Sequence, residues 1–122
     1  MSGNSIFLDT NILIYLLKGN IEIAQLLKGR EFVVSFITEL ELLSFPTAEE
    51  EGRKISELLS ECFIVDINRE IKTIVPKLRM NNKLKIPDAI VCASSIFLNL
   101  PFFTADKHLA KVEEANVLFY EL

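Results

Sequence analysis

Short apolar runs alternate along this chain with longer stretches whose apolar residues return every three or four positions. That alternation predicts strands separated by helices. Ser5–Asp9, Glu31–Ser35, Phe63–Ile67, Pro101–Thr104 and Val117–Tyr120 read as buried-type strands. Helices are expected at Ile12–Lys18 and Ile21–Lys28, stopped by Gly19 and Gly29, and at Thr38–Ser44, cut by Pro46. Thr47–Glu61 is the clearest helix: Thr47 with Glu50 makes a capping box, and Ile55, Leu58, Leu59 and Cys62 keep one apolar face. Arg69–Asn81 carries Ile71, Ile74, Val75 and Leu78 on one side, with a kink expected at Pro76. A basic loop over Asn82–Pro87, an apolar helix over Asp88–Leu98 and a short helix over Asp106–Glu114 complete the reading.

Strands alternating with helices predict an α/β fold of three layers, α/β/α, around a central parallel sheet. In such sheets ligands sit at the carboxyl ends of the strands. Four acids fall beside helix starts: Asp9 after the first strand, Glu41 one turn into the helix after the second, Asp88 behind Pro87, and Asp106 past the fourth strand. Asp88 needs an argument. The helix before it descends ~20 Å at 1.5 Å per residue. An extended loop over 82–87 climbs back about as far at ~3.3 Å per residue. All four acids are then expected at one edge, where crowded carboxylates repel unless a cation sits among them.

The 122 residues fit one domain, residues 1–122. Half are apolar and only four are glycine, which excludes a disordered chain. Cys62 and Cys92 lie in apolar helical patterns and are expected as free thiols, as in a reducing cytoplasm. No basic start followed by an apolar run predicts a signal peptide, and no run of ~18 apolar residues predicts a membrane span. Positive mean hydropathy suggests that another copy or a partner covers apolar surface. The net charge of −4 by itself counts against a nucleic-acid binder, but cations bound among the acids would reverse the field locally.

Each acid also has a structural reading. Asp9 or Asn11 caps the first helix, Thr38 with Glu41 matches a capping box, Asp88 is a first-turn acid, and Thr104 or Asp106 caps the last helix. Capping does not predict four acids at one edge, nor a charge inside the apolar stretch Ile6–Ile14. His108 reads as a surface residue. Lys83 and Lys85 either solvate the loop or hold phosphates.

These residues resemble the PIN-domain nucleases, and most closely the VapC-type toxins of toxin–antitoxin pairs. The resemblance rests on Leu8-Asp9-Thr10-Asn11, on Ser35-Phe36-Ile37-Thr38-Glu39-Leu40-Glu41-Leu42, on Ile86-Pro87-Asp88-Ala89-Ile90-Val91-Cys92-Ala93, and on Thr104-Ala105-Asp106. It implies that Asp9, Glu41, Asp88 and Asp106 are the acidic metal-binding and catalytic set, Asp106 being the least constant member. Asn11 and Thr104 are implied as polar helpers. The implied activity is a metal-dependent endoribonuclease cutting single-stranded RNA. All-oxygen ligands favour Mg²⁺ or Mn²⁺, one ion or two. Glu41 is either a ligand or the general base. Lys83, Lys85, Lys107 and Arg79 are candidate phosphate contacts. The implied partners are an RNA substrate, a cognate antitoxin seated by helix-in-groove contacts on the helices at 12–28 and 38–61, and a second copy in a homodimer.

Rival readings keep the edge but change the chemistry. A housekeeping RNA-processing nuclease shares the same site. A receiver-type or haloacid-dehalogenase-type domain transfers phosphoryl groups through an aspartate. The second position after Asp9 is Asn11, however, and Asp66 sits in an apolar strand without an acidic pair near the start of the chain. A non-catalytic scaffold does not explain four acids.

Overall fold

The structure, a computed structural model, describes residues 3–122. Five strands, β1 (Ser5–Leu8), β2 (Glu31–Ser35), β3 (Phe63–Val65), β4 (Phe102–Thr104) and β5 (Val117–Phe119), pair in parallel in the order β3-β2-β1-β4-β5. Parallel neighbours require crossovers. Among the described residues these come from seven helices: α1 (Thr10–Leu17), α2 (Ile21–Leu27), α3 (Phe36–Leu43), α4 (Glu49–Ser60), α5 (Arg69–Asn82), α6 (Ile86–Leu98) and α7 (Lys107–Ala110).

Side chains alternate between the two faces of the sheet. Phe7, Val33, Val65 and Phe102 point into a core shared with Ile71, Leu78, Ala89, Cys92 and Leu109 of α5, α6 and α7. Ile6, Leu8, Val34 and Phe103 point the other way, onto Ile12, Leu13, Ile23, Leu42, Ile55 and Leu59 of α1 to α4. This is the expected three-layer α/β/α sandwich. The chain builds outward from β1 through β2 to β3, then returns to the other side of β1 with β4. The carboxyl ends of β1 and β4 therefore flank the point where strand order reverses, the usual ligand position in such sheets.

Several local expectations change. Ser35 ends β2 and caps α3 at once, its Oγ accepting the Ile37 N–H at 3.0 Å, so Thr38 lies inside the helix and forms no capping box with Glu41. Thr47 and Glu50 form none either. α4 starts at Glu49 behind Ala48, without a side-chain cap, and Glu49, Glu50 and Glu51 face its positive N-terminus instead. α7 ends at Ala110 rather than 114; Glu114 accepts hydrogen bonds from the side chains of Asn81 and Asn82 on α5. β3 stops at Val65, which leaves Asp66 exposed beyond the edge strand.

The route to Asp88 also differs. α5 runs to Asn82 and α6 starts at Ile86, so only Lys83–Lys85 separate them, with Lys83 in the left-handed region at φ 55°. Three residues span at most ~10 Å. The C-terminus of α5 must then already lie at the site edge, and its Asn82 carbonyl does meet His108 of α7 at 3.0 Å. The helix itself delivers the chain, and no extended loop climbs back.

Candidate functional site

Asp9 is the residue immediately after β1 and the cap of α1. Its Oδ1 accepts the Thr10 N–H at 2.9 Å, and its Oδ2 accepts the Thr104 hydroxyl at 2.6 Å in a buried bond between β1 and the end of β4. Thr104 is fully buried, and its Oγ1 also accepts the Asp106 N–H at 3.0 Å. One hydroxyl thus holds the Asp9 carboxylate and the backbone of Asp106 together. Asn11 accepts the Ala105 N–H at 3.3 Å, fixing the same loop. Asp106 caps α7, its Oδ1 taking the His108 N–H at 2.8 Å.

Glu41 is held from the other side. Thr10 Oγ1 donates to Glu41 Oε1 at 2.7 Å and lies 2.9 Å from Thr38 Oγ1. Thr10 has a single hydroxyl hydrogen, and Glu41 takes it. Thr38 therefore donates to Thr10, giving a relay Thr38–Thr10–Glu41. Neither threonine was marked by the sequence: Thr38 read as a cap, and Thr10 sat unremarked between two marked residues. The signal was available in their spacing, since hydroxyls at 10 and 38 each stand within three residues of a candidate acid.

Asp9, Glu41, Asp88 and Asp106 line one open cleft of about 590 Å³, with Thr10, Asn11, Ser44 and the apolar Ile14, Leu40 and Phe45. Burial pushes the Asp9 carboxyl up to about 6, with Asp88 and Asp106 adding to the rise against the hydrogen bonds from Thr104 and Thr10. Asp88 is also raised, first by burial, then by Asp106 and Glu41, with His108 and Lys85 opposing. The four acids therefore share a cleft and feel one another's charge. Among the described residues, no three His, Cys, Asp or Glu side chains are drawn in tightly enough to hold a metal ion. The donor set, all oxygen with a nearly buried aspartate at its centre, fits a hard divalent ion.

None of the four candidate phosphate contacts lines this cleft. Arg79, Lys83 and Lys85 line an adjacent hollow of about 430 Å³, and Lys107 is exposed on α7. Asp66 stands beyond β3, two strands from β1, and makes no aspartate pair with Asp9 as phosphotransfer would need. Cys92 is buried and Cys62 half-buried, both free thiols. No helix of the described residues is long and apolar enough to cross a membrane.

Comparison with known proteins agrees with this geometry. The structure is similar to a toxin–antitoxin complex from Klebsiella pneumoniae, with 30% identity and a TM-score of 0.84 over 96% of this chain and 99% of that one. It is similar to VapBC-1 from nontypeable Haemophilus influenzae, at 25% identity and TM-score 0.76 over 94% and 97% of the two chains. VapBC2 from Rickettsia felis, bound to a promoter DNA fragment, shares the fold at 18% identity and TM-score 0.79 over 96% and 99%. No curated protein matches. The PIN domain family model matches residues 6–115, nearly the whole span from β1 to the turn before β5, and the chain belongs to the PIN-domain family.

Proposed function

We propose that this chain is a divalent-metal-dependent endoribonuclease, hydrolysing phosphodiester bonds of single-stranded RNA, and that it is the toxin of a cytoplasmic toxin–antitoxin pair. The observation that carries the reading is the meeting of Asp9, Glu41, Asp88 and Asp106, from four separate elements, along one cleft at the strand-order reversal. We assign Asp9 as the central metal ligand, with Asp88 and Asp106 completing the cage. Mg²⁺ or Mn²⁺ bound there would supply polarisation of the scissile phosphate and acidification of a water. Thr104 and the Thr10 amide fix both oxygens of Asp9, so its free lone pairs keep one direction. Asn11 and Thr104 hold the loop that carries Asp106. Glu41, steadied by Thr10, takes the proton of the attacking water. The positive charge of Lys85 acts on Asp88, and with Arg79, Lys83 and Lys107 it draws the polyanion to the cleft mouth.

A second groove, about 570 Å³, lies between α1 and α4 and shares Ile14 and Phe45 with the acidic cleft. An amphipathic antitoxin segment seated there would reach the cleft mouth. The Klebsiella pneumoniae relative, solved as a toxin–antitoxin complex, supports such a partner. Exposed Ile21, Leu26, Leu40 and Leu43 suit a homodimer.

The test is cleavage of a labelled single-stranded RNA by the purified chain with Mn²⁺ or with EDTA. Asp9→Asn is expected to fold and to lose the metal-dependent cleavage. If that variant cuts as fast as the parent, the site is wrongly assigned.

A further inference from the structure

We propose that the exposed face of α5, continued through Lys83–Lys85, is a track for the phosphate backbone of single-stranded RNA, leading the strand out of the acidic cleft on one side. The proposal rests on the endoribonuclease reading and adds where the flanking nucleotides lie.

Charge segregation is the first support. Residues 69–85 hold six of the chain's thirteen basic residues and one of its seventeen acidic ones. A helix face that merely faces water mixes signs, as α4 does with Glu49, Glu50, Glu51, Arg53, Lys54 and Glu57. On α5 a single acid, Glu70, stands against Arg69, Lys72, Lys77 and Arg79. Arg69, Lys72, Arg79 and Lys83 are spaced three, seven and four apart, which sets them on one side of a helix. All four are exposed, while Ile71 and Leu78 are buried on the opposite side.

Position is the second support. The stripe ends beside the catalytic acids. Arg79 Nε donates to the Leu84 carbonyl at 3.0 Å, which pins the guanidinium over the connector. Arg79, Lys83 and Lys85 then line the hollow next to the cleft, and Lys85 is close enough for its charge to act on Asp88. Met80 lines the same hollow and is 82% exposed, an apolar, adaptable side chain set among cations where a base would lie beside its phosphate. A polyanion entering a cleft of four acids is repelled at every phosphate except the one under attack, so its flanks need cations outside the cleft. From Arg69 to Lys83 the helix rises ~21 Å. That matches about six nucleotides at a stacked rise of ~3.4 Å.

The test uses a fluorescein-labelled single-stranded RNA of about 12 nucleotides, with the full chain carrying Asp9→Asn so the strand stays intact. Anisotropy gives Kd across a salt series. Each lost phosphate contact lowers the slope of log K against log salt by ~0.7 for a single strand. Arg69→Gln with Lys72→Gln should weaken binding on the order of tenfold at ~0.1 M salt and flatten the slope by ~1.4. Lys28→Gln with Arg30→Gln removes equal charge at the opposite sheet edge, just before β2, and should leave the slope within error. If the two pairs behave alike, the track is wrong although the nuclease reading stands. If the chain shows neither binding nor cleavage of RNA, both fall. If polyglutamate displaces the label as well as unlabelled RNA does, the stripe is a protein-docking face and the proposal is overturned.

Discussion

Replacing Asp9 by Asn should make the metal-free protein more stable at neutral pH. Asp9 is the residue most buried among the four acids and is raised from 3.8 to about 6. In the unfolded chain it loses its proton near 3.8, in the folded chain near 6. Below both values the side chain is neutral in either state and costs nothing extra. As pH rises through the window between them, the unfolded state ionises first and is favoured. Above pH ~6 the folded state carries the full burden of a buried charge among like charges, about two units at 1.36 kcal/mol each, or ~3 kcal/mol. Asn removes that burden and keeps an acceptor for Thr10. Urea denaturation in EDTA, followed by far-ultraviolet circular dichroism, should show Asp9→Asn stabilised by up to ~3 kcal/mol at pH 7.5 and by well under ~1 kcal/mol at pH 4. Millimolar Mn²⁺ should then stabilise the parent and leave the variant unmoved. An equal difference at both pH values, or a variant less stable at pH 7.5, would refute the assignment of a charge strained by burial.

Thr104→Val removes a hydrogen bond to that buried carboxylate, typically worth ~1.5–3 kcal/mol, and should lift the Asp9 titration by a further one to two units; an unchanged carboxyl titration by ¹³C NMR would count against it. Glu41→Gln should cut turnover on the order of 100-fold while calorimetric Mn²⁺ affinity changes less than about threefold; a parallel collapse of affinity would make Glu41 a ligand instead of the base. Leu78→Ala empties a fully buried position between α5 and the sheet and should cost ~3 kcal/mol by urea denaturation; a loss below ~1 kcal/mol would mean that the helix repacks.

The layers and the five strands were legible because apolar periodicity is strong in both registers, as in Phe7 and Leu8 facing opposite cores. The ends of elements were not. Thr47 and Glu50 spell a capping box that the chain does not use, because three successive glutamates already satisfy the electrostatics of the start of α4. Ser35 serves strand and helix together, a double role that no spacing rule announces. Asp88 reaches the shared cleft as expected, but by a route that sequence cannot give. Residues 82–87 look like a loop because Pro87 breaks the pattern, yet proline sits comfortably in the first turn of α6. The acids stood out as isolated charges in apolar surroundings. Thr10 and Thr38, which steady Glu41, did not, since a buried hydroxyl has the same local appearance as a surface one.

The bond between Thr104 and Asp9 joins residues 95 apart in the chain. β1 sits at the centre of the sheet, and its β4 partner comes from far along the chain. A chain cut after Leu100 keeps Asp9 but has neither Thr104 to hold it nor Asp106 beside it. Any activity built on this cleft thus requires β4 in place beside β1, and a fragment lacking β4 cannot assemble the set of acids.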